Sequence, residues 1–135
     1  MENNHFLLDT LAILTLIEDE EGAERVEQVL TQSKVLIPWP VLLEATYITR
    51  QERGEAEAEH RYALMKQLPV TILWTIDEPT VLTAARLKAD YRLSLADAII
   101  AAFAIQHKAT LLHKDPEFDI LADHVLMEPL PYKST

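Results

Sequence analysis

Asp9, Glu44, Asp97 and Asp115 are the side chains whose type and placement could do chemistry, because each stands where an apolar run ends or a helix is about to run. Carboxylates gathered at strand ends repel one another unless a hard cation neutralises them. An all-oxygen set of Asp and Glu without Cys suits magnesium or manganese and argues against structural zinc. The five histidines are scattered, with no spacing that pairs them as ligands. The chemistry expected of such a set is metal-dependent hydrolysis of a phosphodiester, in which the ion activates water and neutralises charge on the scissile phosphate.

Three of the four acids also fit a purely structural role. Asp9 follows His5-Phe6-Leu7-Leu8 directly. It can either stand at the carboxyl edge of a sheet, where open α/β sheets place their ligands, or cap the next helix for about 1 kcal/mol. Ser94-Leu95-Ala96-Asp97 fits a capping box, with Ser94 bonding the Asp97 amide and Asp97 reaching back. Asp115-Pro116-Glu117 fits a cap, a first-turn proline and a dipole-compensating acid. Glu44 differs, because Val41, Tyr47 and Ile48 at helical spacing place it on an apolar face. A carboxylate buried there costs several kcal/mol, on the order of a lost ion pair, unless metal or an Arg compensates it. Taken jointly, all four lie just beyond a strand or in the first turns of the following helix, so they can converge on one edge.

The elements that must position them alternate. His5–Leu8 reads as a strand, Thr10–Ile17 as a helix, and Glu20–Ser33 as an amphipathic helix with Ala23, Val26, Val29 and Leu30 on one face. A second strand at Val35–Ile37 precedes Pro38-Trp39-Pro40, which opens a helix from about Val41 to Arg53 that Gly54 ends. The helix Glu55–Leu68 is expected to expose Glu55, Glu57, Glu59, Arg61 and Lys66, and Val70–Ile76 reads as the third strand. Asp77-Glu78-Pro79-Thr80 starts a helix to about Tyr91, and Leu95–His107 is a central helix, apolar nearly all round. Ala109–Leu112 and His124–Leu126 supply the last strands, with a loose or extended tail from Met127. This alternation predicts an α/β domain with a mainly parallel sheet covered on both faces, spanning residues 1–135 as one domain.

Composition narrows the function classes. Nearly half of the 135 residues are apolar and only two are glycine, which describes a compact, helix-rich chain rather than a disordered one. The absence of Cys excludes disulfides and thiolate metal sites and fits a reducing cytoplasm. Met1-Glu2-Asn3-Asn4-His5 lacks the basic and apolar regions of a secretory signal. The run Ala98–Ile105 is far shorter than the roughly 20 residues of a membrane span. A soluble, cytoplasmic protein is expected. The 22 acids against 12 Lys and Arg give a net charge of −10, so the broad basic footprint of a passive nucleic-acid binder is missing. A nucleic-acid substrate must then be held by metal and a local basic patch; Lys114, Arg92, Arg50 and His113 are candidates for steering phosphate, although each taken singly fits a solvated surface role better.

The segments LLDTLAIL around Asp9, IPWPVLLEATY around Glu44, RLSLADAIIAAFA around Asp97 and ATLLHKDPEF around Asp115 occur in that order along essentially the whole chain. In these the chain resembles the PIN-domain family, small nucleases that include the VapC-type toxins of toxin-antitoxin pairs. The resemblance implies an α/β/α sandwich with sheet order 3-2-1-4-5 and an acidic quartet of Asp9, Glu44, Asp97 and Asp115 holding Mg2+ or Mn2+. It implies endonucleolytic cleavage of RNA to 3′-hydroxyl and 5′-phosphate ends, an antitoxin covering the cleft, and a second copy of the chain as partner. Two positions depart from the family pattern. Leu11 stands where Ser is common and His113 where Thr or Ser is common, with Thr10 or His113 as substitutes for the missing hydrogen bonds. Two rivals remain: a phospho-accepting receiver domain using Asp9, Asp77 and Lys114, and a catalytically silent interaction module.

Overall fold

The computed structural model describes residues 5–133. Residues 1–4, on which the argument against a secretory signal rests, and the last two residues of the expected tail lie outside the described residues. Five strands form one sheet: β1 (His5–Leu8), β2 (Lys34–Pro38), β3 (Thr71–Leu73), β4 (Thr110–His113) and β5 (Met127–Pro129). Between them run α1 (Thr10–Ile17), α2 (Ala23–Gln32), α3 (Trp39–Arg53), α4 (Glu55–Gln67), α5 (Glu78–Asp90) and α6 (Leu95–Gln106), with a short 3-10 helix at Pro116–Leu121 after β4.

The sheet order is β3-β2-β1-β4-β5, and every neighbouring pair is parallel. Helices flank both faces, as parallel crossovers require. The α/β/α sandwich and strand order expected from the sequence are therefore present. The apolar runs explain the order: Leu7 and Leu8 on β1, Val35 to Ile37 on β2, and Leu111 and Leu112 on β4 are all buried. Strands covered on both faces carry such continuous apolar stretches. β1 pairs with β2 on one side and with β4 on the other, with Leu7 opposite both Leu36 and Leu111. The chain reverses direction across the sheet at β1 and β4, so their carboxyl ends flank the switch point, where open α/β sheets bind ligands.

Four details correct the sequence reading. The last strand is Met127–Pro129, inside the segment read as tail, and not His124–Leu126. Its Leu130 amide continues the ladder by donating to the His113 carbonyl. The strand expected over Val70–Ile76 shrinks to Thr71–Leu73, because β3 is an edge strand paired only with β2. Arg61 is buried rather than exposed, its guanidinium 3.0 Å from Glu18 at the end of α1. Glu44 is only half-buried, because the apolar face of α3 runs through Val41, Leu42 and Ala45 while Tyr47 points outward.

Gly22, at the start of α2, has φ +104°, and a Cβ there would come within 3.3 Å of Pro131. Backbone conformation and close approach of the C-terminal segment both favour glycine at this position. No helix of the described residues is long and apolar enough to cross a membrane.

Candidate metal centre

The acids meet at the carboxyl edge of the sheet. Asp9 leaves β1 and caps α1, its Oδ1 accepting the Ala12 amide at 2.7 Å, while its own amide donates to Leu112 at the end of β4. The cap therefore uses one carboxylate oxygen and holds the group at the switch point. Structural cap and site residue are compatible roles here.

At α6 the expected capping box forms only in half. Ser94 Oγ accepts the Asp97 amide at 3.1 Å, but the Ser94 amide donates to Glu117 Oε1 at 3.0 Å rather than to Asp97. Glu117 has taken over the reciprocal half of the box, and the Asp97 carboxylate can face the other acids. Asp115 likewise caps the short helix after β4, with Oδ1 accepting the Glu117 amide at 2.9 Å.

Asp97, Asp115 and Glu117 each offer a carboxylate oxygen, and these oxygens all lie within 4.8 Å of one another. Asp9, Glu44, Ile48 and Leu11 line the same cleft, of about 240 Å³. The structure thus brings all four sequence-derived acids to one cleft. It places Asp97 and Asp115 in the tight cluster, with Asp9 and Glu44 on the cleft's wall. Glu117 is the member that sequence reasoning missed, having assigned it only to the helix dipole. The signal available was its position two residues after Asp115, where a turn brings both side chains to the same side.

The electrostatics record the crowding. Burial, followed by the charges of Asp97 and Asp115, pushes the Asp9 carboxyl up to about 8, although hydrogen bonds from the Ala12 and Lys114 amides pull it back. Burial and the charges of Asp115, Glu44 and Glu117 push Asp97 up to about 7. A divalent ion among these oxygens would remove the repulsion and restore both to the charged form. The donor set is all carboxylate, which fits Mg2+ or Mn2+.

Both departures from the family pattern sit beside the cluster. Thr10 Oγ1 donates to Glu44 Oε1 at 2.5 Å, orienting the one acid that lies on a helix interior. Leu11 adds no hydrogen bond and lines the cleft. His113 is buried at the end of β4, and burial holds its imidazole below the usual range.

The expected basic patch is not assembled. Lys114 is buried and turned away, its ammonium donating to the Glu21 carbonyl at 3.0 Å and lying 3.7 Å from Glu20. Arg50 is exposed and pairs with Glu55 at 3.4 Å, and Arg92 is exposed at the surface.

The model of the PIN domain family matches residues 6–123. This chain belongs to the PIN domain family. The PIN fold is equally plain in solved structures. VapBC2 from Rickettsia felis, bound to a DNA fragment from its promoter, superposes with a TM-score of 0.77 at 16% identity, covering 94% of this chain and 99% of that one. VapBC-1 from nontypeable Haemophilus influenzae gives 0.72 at 21% identity over 93% and 97% of the two chains. VapC20 from Mycobacterium tuberculosis, described as a sarcin-ricin loop cleaving toxin, gives 0.72 at 16% identity over 93% and 99%. No curated protein matches the chain significantly in sequence.

The receiver-domain alternative fails on topology and geometry. Receivers order their strands 2-1-3-4-5, whereas β1 here lies third in the sheet, between β2 and β4. Asp77 caps α5 through Thr80, and Lys114 is committed to the α1–α2 connection.

Proposed function

We propose that this PIN domain is a magnesium- or manganese-dependent endoribonuclease and the toxin of a toxin-antitoxin pair. The observation that carries the reading is the convergence of Asp9, Glu44, Asp97, Asp115 and Glu117 on one cleft at the switch point of the sheet. Asp97, Asp115 and Glu117 would hold the ion, with Asp9 completing the cage. When bound, the ion supplies a nucleophilic water at neutral pH and neutralises charge on the scissile phosphate.

The chain's own contribution is orientation. Asp9 is held by the first turn of α1 and Glu44 by Thr10, so neither has to reorganise when substrate arrives. The half-buried Glu44, on the wall of the same cleft, would orient a water or a metal-bound phosphate. With Lys114 turned away, the phosphate is gripped chiefly through the metal, and affinity for RNA without the ion is weak. Membership of the PIN family and the VapC fold neighbours, one of them described as a sarcin-ricin loop cleaving toxin, support RNA as substrate. The VapBC assemblies among those neighbours support an antitoxin as protein partner. A homodimer acting in the cytoplasm completes the proposal.

Cleavage of an RNA panel with and without Mg2+, together with growth arrest on expression, tests the reading in wild type and Asp97→Asn. Wild type is expected to cleave only with the metal and to arrest growth, and Asp97→Asn to do neither. Equal behaviour of the two proteins would overturn the enzymatic reading and leave a silent interaction module.

A further inference from the structure

The two residues that follow β4 in the metal centre, Asp115 and Glu117, hang from a loop whose first support is His113. Its ring is fully inside the protein, 1% exposed. Nδ1 accepts the Asp115 amide at 3.3 Å. The ring is edge-on to Phe118, with centroids 5.2 Å apart, and tilted against Tyr132 at 6.1 Å. The C-terminal segment closes this arrangement from outside. Leu130 donates its amide to the His113 carbonyl at 2.6 Å, and the Tyr132 hydroxyl donates to Asp119 Oδ1 at 2.8 Å. Lys133 then pairs with Glu20 at 2.9 Å.

From this packing we infer that His113 is a positioning residue for the metal centre. Its Nδ1 fixes the Asp115 main chain, and the segment Leu130–Lys133 clamps the imidazole that does so. A backbone amide beside a ligating carboxylate is an outer contact of the kind that orients metal ligands. The imidazole reaches the Asp115 amide from within the core, which makes it depend on the tail that covers it. The inference rests on the metal-centre reading for its effect on affinity, but the hydrogen bond itself exists without metal.

The test compares His113→Phe, which keeps the ring's packing and loses the acceptor, with His113→Asn, which keeps an acceptor near Nδ1 and loses the ring. Mn2+ affinity by electron paramagnetic resonance is expected to fall about 10- to 100-fold in His113→Phe, the range for loss of an outer contact, and to stay within about threefold of wild type in His113→Asn. In metal-free protein, the Asp115 amide is expected to exchange with solvent faster in His113→Phe than in wild type or His113→Asn. Should His113→Phe not fold, His113→Ala replaces it, since Ala and Asn both lose the ring and only Asn can accept. Mn2+ affinity and Asp115 exchange that are alike in the acceptor-lacking and acceptor-bearing variants would overturn the inference. Wild type that binds no Mn2+ would defeat the metal centre instead, and the exchange comparison would still decide the role of His113.

Discussion

Thr10 carries a larger share of the site than its type suggests. It occupies the first helical position after the Asp9 cap, so its hydroxyl is fixed by α1 and points across to α3, where it meets Glu44 at 2.5 Å. Thr10→Val keeps the shape and removes the donor. RNA cleavage is expected to drop about 10-fold or more, while stability changes by about 1 kcal/mol, the worth of one hydrogen bond. Thr10→Ser should restore most of the activity. Unchanged cleavage by the valine variant would show that Glu44 needs no such partner. At this scale the sequence was informative about residue type and ambiguous about role. Asp9, Asp97 and Asp115 each had a capping explanation, and each does sit at a cap. The competition was not real, because a cap occupies one oxygen of Asp9 and of Asp115, and the cap of α6 takes the Asp97 amide on Ser94 Oγ. Glu117 was legible only through its spacing from Asp115, and its second contact was not legible at all. It satisfies the Ser94 amide 23 residues away, a contact with no local signature.

The elements show where one-dimensional pattern stops being enough. β1, β2 and β4 were readable because central parallel strands are continuous apolar runs, and α2 because Ala23, Val26, Val29 and Leu30 mark one face. β5 was misplaced because an edge strand of three residues ending in Pro129 has no run to mark it, and its existence depends on β4 being beside it. Arg61 was misassigned because α4 has no clear apolar face in sequence. What buries it is the distant Glu18 at the end of α1, a tertiary partner. The start of α6 is the element on which the metal centre depends most, since Ser94 both caps the helix and receives Glu117 through its amide. Ser94→Ala is expected to cost about 1 kcal/mol in urea unfolding, as loss of an N-cap does. It keeps the amide contact to Glu117, so Mn2+ affinity should fall by no more than about threefold, well below the 10-fold scale of a lost outer contact. Stability equal to wild type would mean that Glu117 alone secures the helix start.

For the molecule as a whole, the acids that would make the site are a liability without metal. A chain of net charge −10 already repels itself, and the cleft concentrates carboxylates where burial pushes Asp9 up to about 8 and Asp97 up to about 7, against an unfolded value of 3.8. Between pH 6.5 and 8.5 the unfolded chain has already lost these protons while the folded chain still holds part of them. The folded state therefore binds more protons, and stability must fall as pH rises through this window. Most other shifted groups leave the window clear. The lowered carboxyls of Glu20, Glu128 and Asp77 are ionised throughout, and the Tyr132 hydroxyl is pushed up to about 12. His113, whose folded value is depressed below the ordinary 6.5, is still partly protonated in the unfolded chain at the lower edge of the window and opposes the fall there; one such group is outweighed by the two carboxyls, and near the top it is neutral in both states. A divalent ion in this cleft would bind only the deprotonated cage and release its protons, so at a fixed ion concentration the gain it would provide, about 2.7 kcal/mol at a hundredfold excess over Kd, would grow with pH. Metal-free protein should melt at a lower temperature at pH 8.5 than at pH 6.5, and saturating Mg2+ should raise the melting temperature more at pH 8.5. Asp97→Asn should be more stable than metal-free wild type at pH 8.5, with little response to Mg2+, because it removes a repelling charge and a ligand together. Melting curves in which Mg2+ shifts wild type and Asp97→Asn equally, or shifts wild type no more at pH 8.5 than at pH 6.5, would mean that the ion binds elsewhere and that the cleft's charge is tolerated for another reason.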